Sequence, residues 1–417
     1  MSQGADPAGE MWDVIVVGSG PAGSATALTL ARLGRRALLV EKRRSTGVKL
    51  GETLPPASID LIAHFLGPET GTAGRPFDAF PTTGNVSSWA SEGADAADFF
   101  FASSGHGLCV DRPAFDDALR DAAAAAGATL LKGASFQSCE RVLDGSLNWR
   151  VTLATDAGAR QDRARYLVDC SGRQAVVGRA LGASIEDDDD RLFAYARWFS
   201  CPGGDDDRRT RIEAAPEGWW YSSRLPGAVG GETGRLVVFY TDRDLPAARL
   251  AASPDGFDGL LERSAMIAPV LRDRGYRPYG AIRGAPAGGQ RLQAFCGDAW
   301  MAVGDAAQAY DPLSSQGVDK ALKSASDAGH LIHYALEDSS QGEDCSQGAA
   351  ELDARNPYVV RHDEAQRRMW DEYLRRRAFY YGAVRRWPGE AFWRRRLPVE
   401  QAAADADEHR LRASPSV

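Results

Sequence analysis

The sequence GSGPAG at residues 18–23 is the first segment whose residue types and spacing can carry out binding chemistry. It follows an apolar run that ends at Val17 and precedes a segment with helical spacing. Gly18 permits a tight turn, Gly20 lets the backbone approach a pyrophosphate, and Gly23 lets helix and strand pack closely. Free N–H groups at the start of the helix attract phosphate. The pattern predicts a dinucleotide-binding site.

An acidic residue, Glu41, ends the next predicted strand, where its carboxylate can accept hydrogen bonds from a ribose. Ala22 and Lys42 join it as predicted cofactor contacts. The fingerprint alone is shared by FAD and NAD sites. Because the sequence holds no second fingerprint of this kind, any nicotinamide is expected to bind only transiently.

The composition excludes other classes of function. The 417 residues carry a formal net charge of −8, whereas a surface that binds nucleic acid is usually basic. The six cysteines form no CxxC pair, and His330 with His333 offers too few ligands for a metal. The N-terminus lacks a signal pattern, and no apolar run could span a membrane. We expect a cytoplasmic protein with reduced thiols, no metal, no nucleic-acid partner and no membrane span.

Strand and helix patterns alternate around the glycine motif and recur near residue 300. The predicted strands are residues 14–17, 37–40, 166–168, 192–200, 236–241 and 300–303. The predicted helices are residues 25–33, 113–126 and 317–333, followed by a helical, Arg-rich and aromatic region at 351–397. The acidic stretch 205–207 is interpreted as a solvated connection.

These patterns predict an α/β fold. Its cofactor domain is of Rossmann type and discontinuous, comprising residues 10–80, 105–185 and 285–345. A β-rich, α+β substrate domain is inserted as residues 81–104 and 186–284. Residues 346–417 form a C-terminal helical region.

Three further motifs, in order along the chain, carry a resemblance to a known family. They are VDRPAFDDAL at 110–119, VDCSGR at 168–173, and AVGDAA at 302–307 followed by DPLSSQG at 311–317. Up to about residue 335 the sequence resembles the FAD-dependent aromatic hydroxylases and flavin-dependent halogenases. The resemblance implies FAD, reduced by NAD(P)H or by a separate flavin reductase. The implied cofactor contacts are Arg112, Asp169, Gly172, Gly304, Asp305, Pro312, Gln316, Gly317 and Val318.

Elementary chemistry agrees with two of these contacts. Asp305 follows a buried strand and can accept hydrogen bonds from the hydroxyls of a ribityl chain, although it could instead cap a helix. The helix that opens at Gly317 directs its positive dipole at the flavin edge that becomes anionic on reduction. The sequence GETLPP at 51–56 resembles the stretch that approaches the ring in the halogenase-like branch. Glu52, Pro312 and Ser315 are therefore the candidate catalytic residues.

Departures from the halogenase pattern favour hydroxylation. Halogenases carry a lysine about thirty residues beyond the Gly-Glu motif, and this sequence has none between Lys49 and Lys132. Ser314 occupies the position of a glutamate in tryptophan halogenases, and their Trp-x-Trp signature is altered at residues 218–226. We predict a monooxygenase that hydroxylates an aromatic ring through a flavin C4a-hydroperoxide. A small-molecule phenol or indole hydroxylase, a halogenase and a flavin-dependent double-bond reductase are the alternatives.

Aromatic segments suggest where a substrate binds. Tyr195, Arg197, Trp219 and Tyr221 are the candidate substrate contacts, although aromatic residues of this kind also build cores. The arginine-rich segment 367–396 is either a helical cap paired with acidic residues or a docking surface for an acidic partner. The pattern also resembles a small branch that hydroxylates a tryptophan of a target protein during maturation of a quinone cofactor. That resemblance implies a partner polypeptide as the aromatic substrate.

Overall fold

The computed structural model describes residues 10–47, 49–67, 77–98, 105–143, 147–187, 191–229, 232–341 and 356–397. The described residues form two large sheets, and the strands of each sheet have a different pattern of hydrophobic residues. One is mostly parallel and buried on both faces, whereas the other is mostly antiparallel and alternates in burial. No helix of the described residues is both long enough and apolar enough to cross a bilayer.

The first sheet has the strand order β19-β20-β11-β1-β2-β8, and the antiparallel strands β10 and β9 extend from β11. Its central strands pair in parallel, as predicted for a Rossmann-type sheet. The strands are β1 (Met11–Val17), β2 (Ala37–Glu41), β8 (Thr129–Lys132), β9 (Ser135–Leu143), β10 (Leu147–Thr155), β11 (Gly158–Asp169), β19 (Cys296–Gly297) and β20 (Trp300–Ala302).

Helices cover this sheet and bury an Ala- and Leu-rich core. Helix α1 (Pro21–Arg32) packs between α3 (Arg112–Ala125) and the long α8 (Gly317–Gln341). The contact with α8 is close, because a Cβ on Gly329 would lie 2.7 Å from Thr29. The smaller helices here are α2 (Ile59–Leu66) and α4 (Val176–Ala180).

The second large sheet has the order β17-β13-β16-β15-β14-β5-β6. Its pairs are antiparallel except β14 with β5. The strands are β5 (Gly84–Ser88), β6 (Asp95–Asp98), β13 (Leu192–Cys201), β14 (Thr210–Ala215), β15 (Gly218–Val229), β16 (Glu232–Asp242) and β17 (Arg277–Pro286). Three helices cover one face: α5 (Pro246–Ala251), α6 (Pro254–Leu261) and α7 (Ile267–Asp273).

Two small sheets join the large ones. One contains β3 (Thr53–Leu54), β7 (Gly107–Val110) and β4 (Ala79–Thr82). The other contains β12 (Ile185–Asp187), β18 (Gln290–Leu292) and β21 (Gln308–Ala309). Both sheets place connecting segments beside the end of β1, where the glycine motif lies.

The C-terminal helices α9 (Pro357–Gly382) and α10 (Ala391–Arg394) pack on the main body. Arg396 is buried and pairs with Asp242, and Arg395 pairs with Asp242 and Asp244. The arginines at the middle of α9 pair instead with acidic residues of their own helix, such as Glu372. These contacts are those of a cap, the first of the two interpretations of this segment.

One local interpretation of the sequence is wrong. Asp205 does not lie in a solvated connection but is buried and forms an ion pair of 2.7 Å with Arg235, whose side chain is also fully buried. Tyr276 donates a further hydrogen bond of 3.0 Å to Asp205. The distant arginine and tyrosine replace the water that an acidic loop would otherwise require.

Candidate active site

The glycine motif forms a turn in which Gly18 and Gly23 leave no room for a side chain. Gly18 has φ of +102°, and a Cβ there would lie 2.3 Å from the carbonyl oxygen of Cys170. Gly23 lies inside α1, and a Cβ there would lie 1.8 Å from the carbonyl oxygen of Gly18. Gly20 differs, because no atom lies within 4 Å of its Cβ position. The backbone at Gly20 thus faces the open space that a pyrophosphate needs.

Glu41 lies at the end of β2 and turns towards this motif. Its carboxylate accepts hydrogen bonds from the Ser19 hydroxyl at 2.7 Å and from the amide N–H of Arg43 at 2.9 Å. Burial opposes the ionisation of Glu41. The two hydrogen bonds, a third from the Ser19 amide and the positive charge of nearby Lys49 outweigh this effect, so the pKa of Glu41 lies below its ordinary value. An ionised carboxylate at this point can accept hydrogen bonds from the hydroxyl groups of a ribose.

A cavity of about 1030 Å³ runs from the glycine motif to the second large sheet. Most of the predicted cofactor contacts line it: Gly18, Gly20, Ala22, Glu41, Lys42, Arg112, Gly172, Asp305, Pro312, Gly317 and Val318. So do the candidate catalytic residues Glu52 and Ser315 and the candidate substrate contact Tyr221. Residues from 18 to 321 thus meet around one space.

Four predicted cofactor contacts do not line the cavity. Gly23 and Gly304 act through packing, since a Cβ on Gly304 would lie 2.6 Å from the Cβ of Ala22. Gln316 lies between the lining residues Ser315 and Gly317, and its carbonyl accepts from the Lys320 amide at the start of α8.

Asp169 also turns away from the cavity. Its carboxylate is fully buried and accepts hydrogen bonds from the amides of Ser171, Val177 and Gly178. Burial raises the pKa of Asp169, against these hydrogen bonds. The residue therefore shapes the turn that brings Gly172, at φ of +71°, to the cavity wall.

Arg112 fixes the segment that contains Glu52. Its guanidinium donates to the carbonyl oxygens of Leu50 at 2.7 Å and Gly51 at 2.8 Å, and to Asp116 at 3.3 Å. Its Nε–H is buried and has no hydrogen-bond partner in the described structure. Arg112 thus places a buried cation in the cavity wall, as a site for a cofactor with phosphate groups requires.

Asp305 lies at the cavity wall with its side chain partly exposed and does not cap α8, which begins at Gly317. Its carboxylate forms an ion pair of 2.9 Å with Lys320, which is almost fully buried. Burial lowers the pKa of Lys320, and Asp305 opposes this effect. Lys320 was not predicted from the sequence, because only the turn of α8 brings it back beneath Asp305.

The DPLSSQG segment forms a tight turn below the cavity. The Asp311 carboxylate accepts hydrogen bonds from the Leu313 amide at 2.8 Å and from the Tyr381 hydroxyl at 2.5 Å. Ser315 has a positive φ of 50°, which is unusual for a residue other than glycine. Helix α9 thus holds the loop that presents Pro312 and Ser315 to the cavity.

The buried Glu52 and the half-buried Tyr221 form a hydrogen-bonded acid pair in the cavity wall. The Tyr221 hydroxyl donates to Glu52 Oε1 at 2.6 Å and lies 2.9 Å from the Thr53 hydroxyl. Burial raises the pKa of Glu52, although the hydrogen bond from Tyr221 and the charge of Arg112 oppose the change. Burial, and then the Glu52 charge, raise the pKa of Tyr221 well above its ordinary value. The pair can hold or accept a proton at the cavity wall.

Strand alternation decides which aromatic residues reach the cavity. On β13 and β16 the even-numbered residues line it, namely Ala194, Trp198, Leu236, Val238 and Tyr240. The predicted contacts Tyr195 and Arg197 lie outside the lining, and Tyr195 belongs to the core beneath α5–α7. Arg197 pairs there with Asp258 of α6. The prediction that these two residues contact substrate is not supported, since side chains at adjacent positions point to opposite faces.

Trp219 lies on the same face as Tyr221 but does not line the cavity. Its ring stacks on Tyr240 at 4.0 Å, and its Nε1–H donates to the Tyr381 hydroxyl at 3.1 Å. The C-terminal helices cover it, an arrangement that strand periodicity could not predict. Trp198 belongs to the aromatic segment 193–199 that was predicted to line the pocket, whereas Tyr240 was not predicted.

Comparisons with known proteins agree with this geometry. Residues 13–192 match the FAD dependent oxidoreductase family. The chain is 28% identical over 390 residues to LodB of Marinomonas mediterranea, whose name describes it as an FAD-dependent oxidoreductase; the alignment covers 93% of this chain and 97% of LodB.

Two solved structures show the same fold. The myxobacterial chondrochloren halogenase CndH superimposes with a TM-score of 0.77 at 22% identity, covering 97% of this chain and 89% of CndH. The peptidyl tryptophan dihydroxylase QhpG, described as essential for tryptophylquinone cofactor biogenesis, gives a TM-score of 0.64 at 24% identity. That alignment covers 93% of this chain and 78% of QhpG.

The protein is therefore a flavin-dependent enzyme built on a Rossmann-type α/β fold. Its described fold is that of a flavin-dependent halogenase, and residues 13–192 are similar to the FAD dependent oxidoreductases, as the sequence predicted. FAD is its cofactor. The turn at Gly20, the Glu41 carboxylate and the Asp305 carboxylate are the described groups that fit the pyrophosphate, ribose and ribityl parts of FAD.

Proposed function

We propose that the protein hydroxylates an aromatic ring, and that its preferred target is a tryptophan side chain of a partner polypeptide. The observation that carries the oxygen-transfer part is the composition of the cavity. Among the described residues that line it, the lysines are Lys42 and Lys49, which bind Gln174 and Asp116 respectively. Neither amine lies among the strand residues of the substrate side, where a halide-oxidising enzyme needs one.

The substrate side of the cavity offers apolar walls and one acid pair. Trp198, Leu236, Val238 and Tyr240 come from the second sheet, and Glu52 with Tyr221 closes the end nearest Arg112. Such walls exclude water and bind an aromatic ring by its faces. Small residues at Ala194, Ala285 and Ala287 leave room for a bicyclic ring.

Reduced FAD supplies the activation of molecular oxygen. In the net reaction a ring C–H becomes C–OH with one oxygen atom of O2, and the other atom leaves as water at the expense of two electrons from the reductant. Glu52 accepts the proton that the ring carbon loses, because its raised pKa makes its carboxylate a stronger base than an exposed glutamate. Tyr221 holds that carboxylate in place.

The fold shared with QhpG, which is described as a peptidyl tryptophan dihydroxylase, supports a polypeptide as the substrate. The fold shared with CndH makes halogenation the second candidate. The positions of the lysines argue against it, because neither Lys42 nor Lys49 lies on the substrate side of the cavity.

The experiment supplies the FAD-loaded enzyme with NADH, a flavin reductase and isotopically labelled oxygen, and offers tryptophan-containing peptides, free indoles and bromide. We expect one labelled oxygen atom per hydroxyl group, on peptide in preference to free indole, and no brominated product. A brominated product without labelled oxygen would establish halogenation. Labelled oxygen on free indole alone would support hydroxylation but contradict the proposal of a polypeptide substrate.

A further inference from the structure

Strand β17 is an exposed edge strand that leads into the cavity. It is the outermost strand of its sheet and pairs with β13, and no described strand pairs with its other edge. None of its ten residues is buried, whereas most residues of β13 are. Its last four residues, from Arg283 to Pro286, line the cavity. An open edge offers backbone N–H and C=O groups to another extended chain.

The same strand limits where another chain can pair. Pro278 and Pro286 have no N–H, and Gly280, at φ of +68°, lies where the ladder with β13 is irregular. These features protect an edge from long, nonspecific pairing. They leave residues 281–285 as a short open stretch that ends at the cavity mouth.

The charge around this edge is unbalanced. Arg277 and Arg283 of β17 are exposed, and within the described residues no carboxylate lies at ion-pairing distance from either of them. The arginines of α9 differ, because Arg375 and Arg376 both pair with Glu372. Two unpaired cations on an open edge, in a chain of net charge −8, favour an acidic ligand.

The end of β17 is anchored in the cofactor region. The Arg173 guanidinium, from the turn after β11, donates to the Gly288 carbonyl at 2.6 Å, and Gln290 donates to the Arg173 carbonyl at 2.7 Å. Ala285 pairs with Ala194 across the strands, and both line the cavity. A strand added at this edge would therefore lie at a fixed distance from the flavin-binding residues, beside a gap that small side chains keep open.

We propose that β17 binds the polypeptide substrate by strand addition, taking an extended acidic segment whose tryptophan enters the cavity beside Ala194 and Ala285. The inference rests on the proposed function and names the chemistry of its substrate. Backbone pairing supplies affinity, and alternate side chains of the added strand point into the cavity. The arginines attract the acidic residues and set the direction of approach.

The test uses the full-length FAD-loaded protein and a labelled twelve-residue peptide, in which glutamate alternates with threonine on both sides of one tryptophan. Fluorescence anisotropy measures binding. We expect the double variant Arg277→Glu/Arg283→Glu to weaken binding by about tenfold or more, most strongly at low salt. The matched control is Arg249→Glu on α5, which covers the opposite face of the sheet. We expect it to leave binding unchanged.

A second peptide keeps all the charges but replaces alternate threonines with proline, which removes N–H donors. We expect it to lose binding as well. Equal binding of the two peptides would overturn strand addition, and equal weakening by Arg249→Glu would overturn the edge as the site. If the wild-type protein hydroxylates free indole but does not bind the first peptide, the inference fails while oxygen transfer stands. If it binds the peptide without transferring oxygen to any aromatic compound, the proposed function fails instead.

Discussion

The nucleotide end and the substrate end of the cavity are built on different principles. At the nucleotide end the decisive features are backbone geometry within a short segment, such as the positive φ of Gly18 and the contact of Gly23 with Gly18. At the substrate end they are pairs of distant side chains, such as Tyr221 and Glu52, which are 169 residues apart. A local motif therefore reveals the first end, whereas only the register of strands reveals the second.

The largest expected effect comes from breaking the nucleotide end. Gly23→Ala places a Cβ 1.8 Å from the Gly18 carbonyl oxygen, so α1 and β1 cannot keep their contact. We expect loss of flavin absorbance from the purified protein and a fall in unfolding free energy of about 3 kcal/mol or more. Gly259→Ala in α6, with no atom within 4 Å of the new Cβ, is the matched control. Retention of flavin by Gly23→Ala would contradict the importance of this contact.

The sequence was sufficient for most of the cofactor region, because its signals are local. The predicted helix at 113–126 lies within one residue of α3, Arg112–Ala125, at each end. The predicted strand at 166–168 proved to be only the end of β11, Gly158–Asp169. Its polar N-terminal half pairs with β10 and has little apolar periodicity, so no local pattern indicated a strand there.

The substrate region was predicted less well, because its signals are long-range. Strands β13 and β16 were predicted to within a few residues, but the face that meets the cavity was not. Both faces of β13 carry aromatic residues, Trp198 on one and Phe199 on the other, so composition could not separate core from pocket. Asp205 shows the same limit, since its partner Arg235 lies on another strand.

The next effect tests the acid pair at the substrate end. Glu52→Gln keeps an oxygen that can accept the Tyr221 hydrogen bond but removes the base. We expect turnover to fall by about a thousandfold while the protein retains FAD. Because burial raises the pKa of Glu52, wild-type turnover should fall with falling pH above the range of an ordinary glutamate, and the variant should lose this limb.

Tyr221→Phe sharpens the same test, since it removes one hydrogen bond from Glu52 but leaves the carboxylate. That bond lowers the pKa of Glu52, so its loss should shift the acidic limb of the turnover profile to higher pH. Steady-state rates across a pH series measure both variants. Parallel loss of flavin and turnover in Glu52→Gln would instead indicate that Glu52 serves folding.

A smaller effect concerns the helix that joins the two ends. His362 of α9 is buried, and its Nε2–H donates to the Ala302 carbonyl at 3.0 Å. Burial lowers the pKa of His362 to about 4, below the value of 6.5 expected in an unfolded chain. Between these values the unfolded chain binds a proton that the folded chain does not. The contribution of His362 to the free energy of unfolding is therefore fully present above pH 6.5. It decreases as the pH falls towards 4, by up to about 3 kcal/mol.

His362→Gln keeps an N–H donor for Ala302 and should remove this part of the pH dependence. Thermal unfolding from pH 7 to pH 4 measures it, with His330→Gln on the exposed side of α8 as the matched control. An unchanged slope in His362→Gln would assign the acid sensitivity to other groups.

The smallest expected effect tests strand alternation itself, on one strand and within three residues. Trp198 lines the cavity, whereas Tyr195 belongs to the core of the opposite face. Trp198→Ala should raise the KM for an aromatic substrate by about tenfold, because a ring face that contacts the substrate is lost. Tyr195→Phe removes only a hydroxyl and should change neither KM nor turnover. Since both positions lie on β13 between β16 and β17, the comparison tests the face on which each side chain lies. A raised KM in Tyr195→Phe with normal stability would place substrate on the other side of the sheet.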